Sequence, residues 1–348
     1  MRIANTYTVE SVTSGHPDKV CDQISDAILD ALLEQDPNSR VAVETFGSHG
    51  LLVLGGEVTS KSSVNYEAIA RQVYRDIGYD DSNLEIITHI AEQSPDISQG
   101  VDTGGAGDQG IMYGFATSET EEMLPKEVVL VHALAKGLEN LRRNKINWLR
   151  PDGKTQVTVE NGVISTILVS TQHSEEVNQE EIFETLKEEL IKPELEKMGI
   201  ELEQIKILVN PTGKFVQGGF DADAGLTGRK IMVDTYCGLA PHGGGAFSGK
   251  DASKVDRSAA YMCRYVARQL VNAGLGNQVL VSVAYAIGKA EPLMVEAVNA
   301  KGESLASHAR KFDFRPNAII EKLKLKTPIF RQTSTYGHFG KAGLPWEE

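Results

Sequence analysis

The sequence predicts an α+β protein built from three similar modules, and three observations carry that prediction. At 348 residues the chain is too long for one ordinary core. Strand-like and helix-period apolar segments follow one another, and the order strand–helix–strand recurs about three times, roughly every 100 residues, without evident sequence identity. Glycine-rich polar stretches separate the repeats. The expected division is 1–98, a lid or linker loop over 99–110, then 111–218 and 219–348, the last carrying the richest glycine stretch.

The bulk numbers restrict the class. With 41% hydrophobic and 24% charged residues the chain reads as a soluble globular protein. A net charge of −13 argues against nucleic-acid binding, which needs a basic face. No apolar run approaches the length of a membrane span, and Met1–Val12 lacks the apolar core of a signal peptide. Cys21, Cys237 and Cys263 are odd in number, far apart and without metal-ligand spacing, so reduced thiols and a cytoplasmic location are expected.

In chain order, Ser14-Gly15-His16-Pro17-Asp18-Lys19 opens a helix. Pro17 suits its first position, and Ile24, Ala27, Ile28, Ala31 and Leu32 form its apolar face. His16, Asp18 and Lys19 are thereby gathered at a helix N-terminus, a place suited to an anion; a surface histidine beside a helix-start acid reads the same way. Arg40 to Phe46 alternates as a strand, with Glu44 opposite in face to Val41 and Val43. A second strand, Leu51 to Leu54, ends at Gly55-Gly56-Glu57. Tyr66 to Ile77 reads as a helix and Leu84 to Ile90 as a strand. Gln93 to Gly110 has five glycines, Gly110 included, and few apolar side chains, the composition of a lid or linker.

Lys126 to Asn144 is a helix with a basic end, Arg142-Arg143. Trp148 to Lys154, with Asp152 and Lys154, reads as a charged turn. Gln156 to Glu160 and Val163 to Thr171 form a hairpin across Asn161-Gly162. Asn178 to Lys192 is a charged amphipathic helix and Ile205 to Val209 a strand. A glycine-rich loop with Lys214 and Phe215 follows. Asp223 to Lys230 ends in the cations Arg229 and Lys230, ahead of an expected strand from Ile231 to Tyr236. Residues 242–258 then hold Gly243, Gly244, Gly245 and Gly249 with Lys250, Lys254 and Asp256, and a helix is expected to begin near Asp251. Bare backbone followed by a helix N-terminus suits phosphate, although a packing loop would look similar. The pattern Gly244, four residues, Gly249-Lys250 approaches a phosphate-binding P-loop. Asp251, where that loop needs Ser or Thr, excludes the P-loop class. Gln278 to Ala286 and Leu293 to Val298 are strands, and Pro316 to Leu323 a short helix.

Collected, the cations are His16, Lys154, Arg229, Lys230, Lys250 and Lys254, and the acids Asp18, Glu44, Glu57, Asp152, Asp223 and Asp256. Cations with several carboxylates suggest a polyphosphate held with magnesium. No order of Ser, His and Asp, and no Cys–His pair, stands out as an activated nucleophile.

Gly15-His16-Pro17-Asp18-Lys19, Gly104 to Gly110, Gly225 to Lys230, residues 242–258 and Tyr336-Gly337-His338-Phe339-Gly340 together resemble the S-adenosylmethionine synthetase (methionine adenosyltransferase) family over essentially the whole chain. The resemblance implies three α+β modules about a pseudo-threefold axis. It implies transfer of adenosyl from ATP to the sulfur of L-methionine, then hydrolysis of the triphosphate to pyrophosphate and phosphate. By motif match, His16, Lys154, Arg229 and Lys250 would act in catalysis. Asp152, Lys214, Phe215, Asp223, Lys230 and Ala246 would join these four at ATP. Glu57, Gln93, Asp223 and Lys254 would hold methionine. Asp18 and Asp256 would bind magnesium, two ions per site, and Glu44 one potassium ion per subunit. The family's sites lie between two subunits, so a homodimer, or a homotetramer as a dimer of dimers, is implied. Two departures stand out: Lys214 replaces an arginine ahead of Phe215, and Gln99 to Gly107 is shorter than in most relatives. A magnesium-dependent polyphosphatase or phosphotransferase, or a non-catalytic adenine-nucleotide sensor, would use the same cations.

Overall fold

The computed structural model describes residues 5–92 and 104–348. In chain order its first elements are β1 (Thr6–Val12), α1 (Pro17–Gln35), β2 (Arg40–Ser48), β3 (Leu51–Thr59), α2 (Tyr66–Ile77) and β4 (Glu85–Ala91). The middle elements are β5 (Gly110–Thr117), α3 (Lys126–Asn144), β6 (Leu149–Glu160), β7 (Val163–His173), α4 (Gln179–Leu186), α5 (Lys192–Lys197) and β8 (Lys206–Val209). The last are β9 (Gly225–Leu226), α6 (Ile231–Asp234), α7 (Val255–Asn272), β10 (Gln278–Tyr285), β11 (Met294–Asn299), α8 (Ala306–Ala309) and α9 (Pro316–Lys322).

These strands form three sheets, ordered β4-β3-β2-β9, β1-β6-β7-β8 and β11-β10-β5. Each sheet carries one long helix on its inner face: α1 on the first, α3 on the second and α7 on the third. The apolar faces meet in one continuous core that includes Ile24, Ile28, Val41 and Val43 from the first layer, Val131, Leu134, Val157 and Val169 from the second, and Val266, Val281 and Val283 from the third. Each sheet also takes one strand from a different third of the chain. The first borrows β9, the second β1 and the third β5. The α+β arrangement of three modules holds.

Local expectations hold where turn chemistry is strong. Asn65 caps α2 through the Ala68 N–H, and Gly78 ends it in a left-handed conformation. The hairpin turns at Asn161-Gly162, both residues having positive φ. Four expectations fail. The strand expected to end at Gly55-Gly56-Glu57 runs on to Thr59, because both glycines stay in register with β2, so Glu57 lies inside β3 opposite Ala42 rather than at a strand end. Trp148 to Lys154 is no turn: β6 starts at Leu149, with a bulge between Leu149 and Gly153 that absorbs Pro151. Ile231 to Tyr236 is no strand: Ile231–Asp234 is helical, because Val233, Asp234 and Tyr236 all turn inward while Met232 stays exposed. The helix after the glycine turn begins at Val255 rather than near Asp251, since Asp251 is spent on holding the turn to β2. Of the expected lid or linker stretch from Gln93 to Gly110, residues 93–103 lie outside the described residues. At its far end Ala106 is fully buried and exchanges backbone hydrogen bonds with Gly288 and Lys289.

Candidate active site

The N-terminus of α1 is the first half of the site. His16 is its N-cap, and its Nδ1 accepts the Asp18 N–H at 3.2 Å. That bond leaves the imidazole proton on Nε2. Burial, reinforced by the charges of Lys230 and Lys154, lowers the His16 pKa to about 3, so the ring is a neutral donor. Asp18 is buried; its Oδ1 accepts the Leu226 N–H at 2.9 Å and its Oδ2 the Lys230 ammonium at 2.6 Å. Burial pushes this carboxyl up, but Lys230 and the Leu226 N–H outweigh it and hold it below the usual carboxylate range. Arg229 Nε stands 3.6 Å from Asp18 Oδ1. Asp152, on β6, is buried, accepts the Gly219 N–H at 2.9 Å, and is lifted by burial to about 6. Lys154 follows on the same strand, exposed and paired in register with Val12 of β1.

The glycine-rich turn is the second half. His242 Nδ1 accepts the Gly244 N–H at 2.8 Å, which folds the triglycine back on itself. A β-carbon at Gly245 would lie 2.2 Å from the Asp256 carboxylate, so only glycine lets that acid approach the turn. Lys250 pairs through its backbone with Ala42 of β2, and its ammonium meets Asp256 at 2.7 Å. Lys254 is ion-paired with Asp251, whose carboxylate also accepts the Val41 and Ser253 N–H groups. An acid therefore occupies the place where a P-loop has its hydroxyl, because here it fastens the turn to the sheet.

Residues 225–230 and the glycine turn touch: a β-carbon at Gly228 would lie 2.4 Å from the methyl of Ala246. On the first sheet, Lys250, Ala42 and Glu57 stand in one cross-strand row. Glu44 shares their face two residues along β2, turned away from α1. An apolar row, Leu226, Phe46, Val53 and Ile87, runs beside them, with Phe46 38% and Ile87 46% exposed.

Sequence-selected residues thus gather at the α1 N-terminus, the start of β6, two adjoining turns and one face of the first sheet, with three exceptions. Lys214 is on the surface, paired with exposed Glu175. Asp223 is exposed and accepts the Ala224 N–H, yet it lies close enough to Asp152 to help raise its pKa. Gln93 lies outside the described residues. Phe215 is half-buried, its N–H donating to His173 Nε2 at 3.0 Å. Lys19, expected beside His16 and Asp18 at an anion site, is instead fully buried between Asp22 and Asp234, and sequence reasoning missed the other buried charge behind the site, Arg257 gripping Asp26. The repeat of aspartate every fourth residue along α1 was the available signal.

Two adjoining cation-bearing turns, a neutral imidazole donor and paired carboxylates, set on three sheets, form a site chemically suited to a polyphosphate. Comparison with known proteins sharpens the class. Residues 4–95, 103–215 and 217–348 match the N-terminal, central and C-terminal domains of S-adenosylmethionine synthetase. The chain is 52% identical to the S-adenosylmethionine synthase of Pseudothermotoga lettingae over 98% of its own length and 96% of the relative's. It is 48% identical to those of Petrotoga mobilis and Staphylococcus epidermidis, over 98% of this chain and 95% of each relative. The chain belongs to the S-adenosylmethionine synthetase family. Its alignment with the Petrotoga protein runs to 384 positions, more than the 348 residues present here, so that relative carries segments this chain lacks. The polyphosphatase and sensor readings are not favoured.

Proposed function

We propose that this chain is a methionine adenosyltransferase that joins the sulfur of L-methionine to C5′ of ATP and then hydrolyses the displaced triphosphate to pyrophosphate and phosphate. The observation that carries the reading is the adjacency of the Arg229-Lys230 and Lys250 turns beside His16. A thioether is already a nucleophile and needs no base, so the work lies at the leaving group. His16 holds its proton at Nε2 and donates it in a hydrogen bond near the C5′ oxygen as that bond breaks. Lys154, Arg229, Lys230 and Lys250 take up the charge that develops on the triphosphate. Asp152, Asp223, Phe215, Ala246 and Lys214 line ATP, with Lys214 reaching it only by leaving Glu175. Glu57, Asp223, Lys254 and Gln93 hold methionine, the acids also suiting the cationic sulfonium of the product.

Among the described residues no three His, Cys, Asp or Glu side chains converge as a metal cage. Magnesium commonly takes one or two carboxylates and completes its shell from phosphate and water. Asp18 and Asp256 are hard oxygen donors that would hold the two ions once their partners Lys230 and Lys250 turn to phosphate, and exposed Glu44 would hold a potassium ion. Bound metal would neutralise phosphate charge.

The site is shared between subunits of a homodimer, or of a dimer of dimers. The exposed apolar row at Phe46 and Ile87, running beside Lys250 and Glu57, supports this, since a second copy would cover it. The same reading divides the chain near residues 98, 110 and 218; the matched ranges break near 95–103 and 215–217, so the central match begins inside the 99–110 segment. A cytoplasmic location accords with three free cysteines; among the described residues no helix is long and apolar enough to cross a membrane. The test is one assay of ATP plus methionine, with S-adenosylmethionine and phosphate both measured. Both must appear together and depend on a divalent ion. Phosphate release without methionine, or full activity after exhaustive chelation, would refute the proposal.

A further inference from the structure

Helix α1 carries an aspartate at every fourth position, and the four reach three distant parts of the chain. Asp18 accepts the Leu226 N–H at 2.9 Å, Asp22 the Gly228 N–H at 2.9 Å, and Asp26 the Gly249 N–H at 2.8 Å. Asp30 accepts the Phe330 and Arg331 N–H groups. Successive rungs rise about 6 Å along the helix. The middle two, Asp22 and Asp26, are fully buried. They hold the residues immediately before Arg229-Lys230 and before Lys250. Neither turn has a long strand to steady it: β9 is two residues long, and Lys250 makes an isolated bridge to β2. Each buried carboxylate also has its own cation, Lys19 for Asp22 and Arg257 for Asp26, and Arg257 Nη1 additionally donates to the Lys250 carbonyl at 3.1 Å.

We infer that Asp22 and Asp26 are positioning residues for adenosyl transfer, setting from one rigid helix the separation of the Arg229-Lys230 and Lys250 turns through the Gly228 and Gly249 amides. The inference rests on the reaction proposed above. Neither carboxylate faces substrate; each acts through a backbone N–H one residue ahead of a cation. Preorganised charge costs no rearrangement when the triphosphate departs, and a misplacement of about 1 Å can cost on the order of 10²-fold in rate.

Two substitutions at one position separate placement from charge. Asp22→Asn keeps an acceptor oxygen at the same reach but drops the charge. Asp22→Glu keeps the charge for Lys19 but moves the acceptor by one methylene. A positioning role predicts that Asp22→Asn retains most of the wild-type kcat, while Asp22→Glu loses on the order of 10²-fold in kcat with a smaller change in the KM for ATP. A role confined to the buried charge network predicts the reverse order. Wild-type turnover in Asp22→Glu, or an equal loss in both variants, would overturn the proposal. Should the glutamate chain fail to fold, Asp22→Asn decides alone, with hydrogen exchange at Gly228: turnover kept with amide protection kept supports positioning. Turnover lost in a folded chain, or kept with protection gone, refutes it. A wild-type chain that forms no S-adenosylmethionine would overturn the underlying reading, and the proposal with it, before any variant is made.

Discussion

The N-terminal end of α1 and the glycine-rich turn ahead of α7 both gather cations and acids, and they are built in opposite ways. At α1 the functional groups sink into the protein. His16 and Asp18 are buried, and every oxygen of Asp18 is already engaged. At the glycine turn they stay near the surface: the Lys250 and Asp256 side chains keep 23% and 25% exposure and satisfy one another. Burial settles a charge state in advance, whereas a half-exposed pair can trade partners at small cost. The site therefore joins a prearranged half to an exchangeable one, a sensible division when one group must hold a phosphate chain that another must release.

The largest effect is expected where the two halves share support. Asp26→Ala leaves the Arg257 guanidinium buried without its acid, a loss of about 3–5 kcal/mol, read as a lowered urea midpoint. An unchanged midpoint would mean that the halves are held independently. Next, Lys250→Met removes the exchangeable cation, and kcat should fall on the order of 10²-fold or more. A rise in the KM for ATP with kcat untouched would assign Lys250 to binding alone. Third, His16 tests the prearranged half. Its imidazole should remain neutral, with the proton on Nε2, from pH 8 down to well below 6, as followed by nitrogen NMR of the ring. The unfolded chain takes up this proton below about 6.5 and the folded chain only near 3. The group's contribution to stability is therefore complete above 6.5 and drains away as the pH falls toward 3. Titration near 6.5 in the folded enzyme would end the contrast. The smallest effect is at Lys214, whose pair with Glu175 is 63% and 71% exposed. Lys214→Ala should change stability by less than about 1 kcal/mol, and any larger change in ATP affinity would mean that the residue does leave Glu175 for substrate.

Much of this was legible wherever chemistry is local. Asn65 and Gly78 announce both ends of α2, Asn161-Gly162 announces the hairpin, and Pro17 after His16 announces the helix that carries the buried half. Legibility failed where long-range partners decide. Ile231 to Tyr236 has strand composition, but Asp234 must face Lys19 and Val233 the core, so the segment coils. The turn assigned to Trp148–Lys154 hid a strand, because its partner Val12 lies far earlier in the chain. Among the candidate site residues, sequence singled out the cations yet missed Asp22 and Asp26. Their partners are backbone amides, which leave no mark in the side-chain pattern. Lys214 is placed at ATP by its position ahead of Phe215 and nevertheless lies on the surface, since composition carries no information about which way a loop residue points.

The borrowing of one strand by each sheet has a consequence for synthesis. A chain emerging from the ribosome N-terminus first has β2, β3 and β4 in hand early, but their sheet waits for β9 at Gly225–Leu226. Its first strand, β1, must in turn idle until β6 appears at Leu149–Glu160. Strand β5 waits longest in absolute position, for β10 at Gln278–Tyr285. No third of the molecule can finish alone, so unpaired strand edges persist until nearly the whole chain is out. Stalled or truncated products should be recognised as unfolded throughout rather than surviving as folded fragments, and the complete chain should melt in a single step.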